Sequence, residues 1–225
     1  MRVYLVAGEA SGDQLGAALM VGLKELTPGV EFFGVGGSLM QAQGMTSLFG
    51  MNELSVMGIA EILPKYRHFK RRIAQTADDI LAHKPDVLIT IDSPDFCLRV
   101  AKRVKAASKI RTVHYVAPSV WAWRAGRAQK MARYVDQVLA LLPFEPPYMH
   151  AAGMRCDFVG HPVSHLPEIT ATQTANFRRE QSIGGAPFIL VLPGSRQGEV
   201  ARLSPVFGAA LTLVLAKNPD ARVMV

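Results

Sequence analysis

Two carboxylates follow a short β-rich run, in the order Ile91-Asp92-Ser93-Pro94-Asp95-Phe96. The run Val87–Ile91 has apolar residues on both faces, which predicts a strand of a parallel sheet that is covered on both sides. Ligands of such sheets bind at the carboxyl ends of the strands, where Asp92 would lie. Asp92 is therefore a candidate general base. The alternative is that Asp92 and Asp95 only cap the helix that follows.

A glycine-rich segment, Gly8–Gly16, ends the first apolar run and opens a helix. Such a turn presents free backbone N–H groups to a ligand, so Gly8, Glu9 and Ser11 are candidates for binding a polar ligand. The spacing is not the G-x-G-x-x-G of dinucleotide sites, and Glu9 and Asp13 would repel a phosphate. NAD binding is therefore disfavoured. The alternative is a tight turn in which Ser11 or Asp13 caps the helix.

Both tryptophans of the chain, Trp121 and Trp123, lie in one loop that follows a predicted strand. Aromatic rings at the ligand edge of a sheet suit stacking on a sugar or contact with an acyl chain, while packing in the core is the alternative. His161 stands where the chain leaves the first predicted domain. It would face a cleft between domains, or it is structural.

A second glycine turn, Leu192–Arg196 (LPGSR), precedes a helix near the end of the chain. Gly194 permits a close backbone approach, and Ser195 offers a hydroxyl. Arg196 presents a planar guanidinium that suits phosphate oxygens. Because its nearby charge is positive, this turn is the better anion site of the two.

The segment from Ile62 to Arg72 mixes large apolar groups with basic ones. Ile62, Leu63, Tyr66 and Phe69 fall on one helical face, and Lys and Arg residues surround it. This pattern suits a helix that rests on an anionic membrane surface. A packed surface helix with a solvated basic face is the alternative. Nucleic acid is not an expected partner, because no recognition module is present.

These residues are positioned by an alternation of β-rich runs and amphipathic helical stretches, which predicts an α/β fold with a Rossmann-like, doubly wound parallel sheet. The predicted strands are Val3–Ala7, Val30–Val35, Val87–Ile91, Thr112–Val116, Val138–Leu142, Cys156–Val159, Phe188–Leu192 and Ala221–Val225. The predicted helices include Val100–Ala107, Gly126–Tyr134, one around Thr174–Gln181, and Leu203–Lys217.

The pattern predicts a first domain over 1–165, a polar linker over 166–185 and the start of a second domain over 186–225. Two strands and one helix cannot bury a core of their own, so we expect the second domain to be truncated.

Composition limits the class of protein. Hydrophobic residues make up 49% of the 225 residues and charged residues 19%, which excludes a disordered chain. The net charge of +7 favours phosphates, nucleic acid or anionic surfaces as partners. The apolar run Val206–Ala216 is too short to span a bilayer, and the N-terminus does not have the pattern of a secretory signal. Two cysteines indicate a reducing, intracellular compartment.

Taken together, the segments resemble the lipid-A-disaccharide synthase family, glycosyltransferases of the two-domain GT-B type. They occur in the family's order along the whole chain: AGEASG (Ala7–Gly12), VMGIAEIL (Val56–Leu63), IDSPDF (Ile91–Phe96), HYVAPSVWAWR (His114–Arg124), LPFE (Leu142–Glu145), FVGH (Phe158–His161) and LPGSR (Leu192–Arg196).

The resemblance implies an inverting transfer in lipid A biosynthesis. UDP-2,3-diacylglucosamine and 2,3-diacylglucosamine 1-phosphate would give the β-1′,6-linked disaccharide and UDP. It makes Asp92 the base for the acceptor's 6-hydroxyl and Arg196 the group that stabilises the leaving UDP. It adds Ser119 to the substrate-binding candidates already named, and it implies no cofactor and no metal.

The resemblance also implies a cytoplasmic enzyme that associates peripherally with the inner membrane of a Gram-negative bacterium, through the face of Ile62, Leu63, Tyr66 and Phe69. A homo-oligomer is a further possible assembly. Because most of the donor domain would be missing, we expect little or no transferase activity from these 225 residues alone. The alternatives are another GT-B UDP-sugar enzyme (a peptidoglycan glucosaminyltransferase or an epimerase) and a non-catalytic module that binds phosphosugar or membrane.

Overall fold

The structure, a computed structural model, describes residues 1–54, 62–124, 126–165, 167–194 and 197–225. Side chains are described for these residues except 62–65, 165 and 197. The chain divides into two compact units, Met1–His165 and Leu166–Val225.

The first unit is built on a seven-stranded sheet in which every neighbouring pair is parallel. Its strands are β1 (Arg2–Ala7), β2 (Glu31–Val35), β3 (Thr46–Ser47), β4 (Val87–Ile91), β5 (Arg111–Tyr115), β6 (Gln137–Ala140) and β7 (Arg155–Phe158). They lie in the order β3-β2-β1-β4-β5-β6-β7. The predicted α/β class and parallel sheet are confirmed.

Helices connect these strands. They are α1 (Ala10–Leu26), α2 (Ser38–Ala42), α3 (Ile62–His83), α4 (Pro94–Ala107), α5 (Arg127–Met131) and α6 (Pro146–His150). Short 3₁₀ turns occupy Met51–Glu53 and Pro162–His165. Sequence analysis missed α2, β3 and α6, because elements of two to five residues are too short to show a period.

The sheet is covered on both faces, as its apolar strands predict. Alternate residues of β1 enter different hydrophobic clusters: Tyr4 and Val6 pack with α3 and α4, while Val3 and Leu5 pack with α1 and α2. Since successive side chains of a strand point to opposite faces, helices must lie on both sides of β1. The doubly wound arrangement is therefore confirmed.

A buried carboxylate fixes α2. Asp13, on α1, is only 4% exposed and accepts hydrogen bonds from the backbone N–H groups of Gly37 (2.8 Å), Leu39 (3.0 Å) and Met40 (3.0 Å). These are N–H groups that the start of a helix leaves without partners inside the helix. The expectation that Ser11 or Asp13 caps α1 is wrong: the N-cap of α1 is Glu9, with no side-chain cap, and Asp13 caps the neighbouring helix.

The second unit is small. Its parallel pair β8 (Phe188–Leu190) and β9 (Arg222–Met224) is accompanied by α7 (Ala171–Glu180) and α8 (Gln197–Lys217). Among the residues described in this unit, only Ile183 and Ala221 are buried. This agrees with the expectation that so few elements cannot bury a core.

The helix α8 is long and apolar. Within the described part of the chain, Gly198–Lys217 is one helix with enough length and hydropathy (mean 1.5) to cross a membrane. It is longer than the run Val206–Ala216, so the length argument against a span is wrong for this helix. Core helices of soluble proteins meet the same criteria, which makes the finding weak evidence for a span.

Candidate functional site

The candidate site lies where the strand order of the sheet reverses, between β1 and β4. From β1 the sheet continues to β2 and β3 on one side and to β4 and β5 on the other, and the last paired residues of β1 and β4 are Ala7 and Ile91. Open parallel sheets bind their ligands at the carboxyl edge of such a switch point. Gly8 directly follows β1 and Asp92 directly follows β4, so these two predicted site residues flank the switch point.

Asp92 is held at this edge by its neighbours in the fold. Its backbone N–H donates to the carbonyl of Tyr115 on β5 at 2.9 Å, and its φ of 50° is left-handed. The side chain is half-buried, and its Oδ2 accepts a hydrogen bond from Ser11 Oγ at 3.4 Å. The structure thus joins two predicted site residues that are 81 positions apart.

Ser93 closes the contact between the two strand ends. Its φ of 41° makes it a second left-handed residue in succession, and its buried Oγ has no hydrogen-bond partner among the described residues. A Cβ placed on Gly8 would lie 2.7 Å from this Oγ. Glycine is therefore required at position 8 by close packing. Consecutive left-handed non-glycine residues store backbone strain, which clusters at functional sites.

Cys97, on α4, lies directly beneath the switch point. Its thiol is fully buried and is 3.5 Å from the carbonyl of Val6 and 3.8 Å from that of Ile91. Burial raises the pKa of the Cys97 thiol well above its usual range, and the carboxylates of Asp92 and Glu9 raise it further. Two predicted site carboxylates thus lie near one thiol, and the thiol itself stays protonated.

The tryptophan loop follows β5 and is open to solvent. Trp121 is 46% exposed and stacks edge-on against Phe144 at 5.3 Å, while Trp123 is 57% exposed. The alternative that these rings pack in the core is therefore wrong. Ser119 is exposed, and its carbonyl accepts the backbone N–H of Trp123 at 3.2 Å, which shapes the loop.

Two guanidinium groups lie on the Trp123 ring. The Arg124 guanidinium is 4.3 Å and that of Arg127 is 5.8 Å from the ring centroid, within the range of cation–π attraction. Arg127 also forms an ion pair with Asp95 at 3.6 Å. These groups border a cavity of about 540 Å³ between α4 and α5, whose wall includes Pro94. Asp95 thus pairs with a cation, and Asp92 does not line the cavity.

The buried imidazole of His114 is next to this region. Its Nδ1 lies 2.8 Å from Thr90 Oγ1, and its buried Nε2 finds no hydrogen-bond partner in the described part of the chain. Burial lowers the pKa of His114 to about 4, and the positive charge of Arg127 contributes. His114 is therefore neutral at physiological pH.

The predicted membrane face on α3 is described only in part. The side chains of Ile62 and Leu63 lie outside the described residues. Tyr66 is 40% exposed, but Phe69 is half-buried against the core and stacks edge-on with Phe96 at 5.4 Å. Of the predicted apolar face, Tyr66 is thus the described side chain that solvent reaches most.

One cation of this helix is not part of a solvated basic face. Arg72 binds both oxygens of Glu53, with Nη2 2.7 Å from Oε1 and 2.6 Å from Oε2. The Arg72 guanidinium and His68 lower the pKa of the Glu53 carboxyl. The expectation that Arg72 rings a lipid-facing surface is wrong, because this ion pair fixes α3 to the turn at Met51–Glu53.

The other predicted site residues lie in other parts of the sequence, near the ends of β7 and β8. His161 follows β7, and its Nδ1 accepts the backbone N–H of Val163 at 3.1 Å, a local turn contact. Gly194 has a left-handed φ of 119° before α8, as a glycine turn requires. Ser195 and Arg196 lie outside the described residues. Within the described ranges, no group of three or more His, Cys, Asp or Glu residues could hold a metal ion.

Sequence analysis missed the cations that line the cavity. Arg99 and Lys102 on α4 lie across from Arg127 and Lys130 of α5. Each pair falls on one helical face by its spacing of three, which is a detectable signal. That α4 and α5 face each other was not detectable, since this depends on strand order.

The comparisons with known proteins identify the family. A family model described as lipid-A-disaccharide synthetase matches residues 3–225. The chain belongs to the lipid-A-disaccharide synthase family. It is 65% identical over 225 residues to the lipid-A-disaccharide synthase of Ruegeria pomeroyi, covering 100% of this chain and 56% of that protein. It is 48% identical over 226 residues to that of Rhodospirillum centenum, covering 99% and 56%.

The chain thus spans about half the length of the curated relatives of this family that it matches. Among solved structures it is similar to UDP-GlcNAc 2-epimerase from Neisseria meningitidis bound to UDP-GlcNAc, with a TM-score of 0.66 at 10% identity, covering 100% of this chain and 66% of the other. At this identity the likeness concerns the fold alone. It therefore gives no support to the epimerase alternative.

Proposed function

We propose that this chain carries the acceptor side of a lipid-A-disaccharide synthase. The complete protein would transfer 2,3-diacylglucosamine from UDP to 2,3-diacylglucosamine 1-phosphate, and it would release UDP. The observation that carries the proposal is the position of Asp92, a half-buried carboxylate at the switch point of the parallel sheet in a chain of this family.

In the proposed mechanism Asp92 is the general base. Its carboxylate takes the proton of the acceptor's 6-hydroxyl while that oxygen attacks C1 of the donor sugar. The bond between C1 and the UDP oxygen breaks, and its electron pair leaves with UDP. One displacement of this kind inverts C1. The hydrogen bond from Ser11 and the backbone bond to Tyr115 orient the carboxylate for this task.

The leaving UDP gains negative charge, which a guanidinium in a dry site stabilises well. We assign this role to Arg196 on the basis of its LPGSR turn, with Gly194 and Ser195 as backbone and hydroxyl contacts. On the acceptor side we assign contacts to Gly8, Glu9 and Ser11, which flank Asp92. The exposed loop of Ser119, Trp121 and Trp123 and the residue His161 complete the proposed binding groups.

We further propose that the protein is cytoplasmic and associates peripherally with the inner membrane of a Gram-negative bacterium. Acylated substrates are held in a bilayer, so the enzyme needs a surface that approaches it. The exposed Tyr66 ring supports such a surface on α3, together with Lys70, whose Nζ lies 4.6 Å from that ring. Ile62 and Leu63 belong to the proposed surface by sequence alone.

The test is Asp92→Asn in a chimera that joins these 225 residues to the part of the Ruegeria pomeroyi relative that follows the aligned region. Loss of a general base lowers turnover by about 10²- to 10⁴-fold. Formation of the disaccharide from both substrates measures it. Asp86→Asn is the matched control, because Asp86 lies at the opposite end of the same strand and binds the backbone of Arg2. Near-normal turnover of folded Asp92→Asn would remove the proposed base.

A further inference from the structure

A strongly basic cavity of about 540 Å³ lies between α4 and α5. Its wall starts at Pro94, only two residues after Asp92. Five cations and one carboxylate are among its lining residues: Arg99, Lys102, Arg124, Arg127 and Lys130, with Asp95. Cations that surround one cavity repel each other, so this arrangement favours an anion that neutralises them.

Several of these cations are already held in position. Arg127 is 18% exposed and is fixed by Asp95 at 3.6 Å, and the Arg124 guanidinium lies 4.3 Å over the Trp123 ring. Hydrogen bonds from Lys70 and from Arg99 lower the pKa of the Tyr66 hydroxyl. A guanidinium that is fixed before binding loses less conformational entropy when it meets an anion.

We propose that this cavity binds the phosphate monoester of the sugar 1-phosphate acceptor, which rests on the function proposed above. A monoester carries about 1.5 to 2 negative charges at pH 7, more than the single charge of a phosphodiester headgroup. Consecutive Cα atoms are about 3.8 Å apart, so Pro94 lies within roughly 7.6 Å of Asp92. Since Pro94 lines the cavity, the edge of the cavity lies close to the backbone of the proposed base, so an acceptor whose phosphate enters the cavity has its sugar near Asp92.

Fluorescence of the 225-residue chain gives a direct binding test, because its two tryptophans are both in the loop beside the cavity. We expect glucosamine 1-phosphate to change the emission in a saturable way, and glucosamine to have no such effect. Arg124→Gln and Arg127→Gln should each weaken the binding about tenfold, the loss expected for one charge-assisted hydrogen bond. Arg103→Gln is the matched control: it removes an exposed cation of α4 that does not line the cavity.

The outcomes separate the sources of phosphate. Equal binding of glucosamine and glucosamine 1-phosphate overturns the proposal. It is also overturned if Arg124→Gln/Arg127→Gln, folded by circular dichroism, binds glucosamine 1-phosphate normally but loses sedimentation with phosphatidylglycerol vesicles. Competition by millimolar inorganic phosphate against glucosamine 1-phosphate in the parent chain, together with weakened binding in the double variant, supports it.

The chimera described above separates this proposal from the proposed function. A raised KM for the acceptor at an unchanged kcat, in Arg124→Gln/Arg127→Gln, supports a binding role for the cavity. An unchanged acceptor KM in an active double variant overturns the proposed binding role of the cavity and leaves the transferase function unaffected. An inactive parent chimera that still binds glucosamine 1-phosphate counts against the transferase function alone.

Discussion

The buried imidazole of His114 makes the stability of this fold depend on pH below neutrality. Its pKa is lowered from 6.5 to about 4, first by burial and then by the charge of Arg127. The folded pKa lies below that of the unfolded chain, so the unfolded chain takes up a proton first as the pH falls. Stability is therefore complete above about pH 6.5 and falls progressively toward pH 4.

The magnitude follows from the size of the shift. A difference of 2.5 units between 6.5 and 4, at about 1.36 kcal/mol per unit, gives a total loss of roughly 3 kcal/mol. At pH 5 the same two pKa values give a loss of about 2 kcal/mol in the free energy of unfolding. His114 is fully buried, so solvent screening does not reduce this figure.

Urea unfolding of the 225-residue chain at pH 7.5 and pH 5.0 measures this effect. The fall in unfolding free energy between the two values should be about 2 kcal/mol smaller in His114→Gln than in the parent chain. His161→Gln, which removes an exposed histidine, is the matched control variant. If His114→Gln shows the same pH dependence as the parent, or if NMR titrates His114 near pH 6.5, the buried neutral imidazole is refuted.

Two further predictions concern the helices beside the site. Asp13→Ala should lower the free energy of unfolding by about 3 kcal/mol, because three backbone N–H groups, one of them buried, lose their charged acceptor. Asp13→Asn should cost less, since Oδ1 accepts two of the three hydrogen bonds. Equal urea midpoints for the two variants would contradict this. Tyr66→Ser should reduce sedimentation with anionic vesicles severalfold, because an exposed ring is lost from the proposed surface. Tyr148→Ser, which removes another exposed ring, should leave sedimentation unchanged. Unchanged sedimentation of Tyr66→Ser would rule out contact of this ring with lipid.

The sequence by itself determined most of the helices and strands and the position of Asp92 at the end of a buried strand. The strand before Asp92 is recognisable because it is a short, nearly continuous apolar run, a pattern that consecutive residues alone create. Every predicted strand begins and ends within two residues of an observed strand, and Asp92 follows β4 directly. The helix α8 is longer than predicted, since its first turn is polar and shows no apolar period.

Only the tertiary structure decided which of these elements meet. The order β3-β2-β1-β4-β5 brings Gly8 and Ser11 to Ser93 and Asp92. It also placed the cations of α4 across from those of α5, and it assigned Asp13 to a different helix from its own. The physical reason is that periodicity is a property of consecutive residues, whereas strand order depends on packing between segments that are distant in the chain.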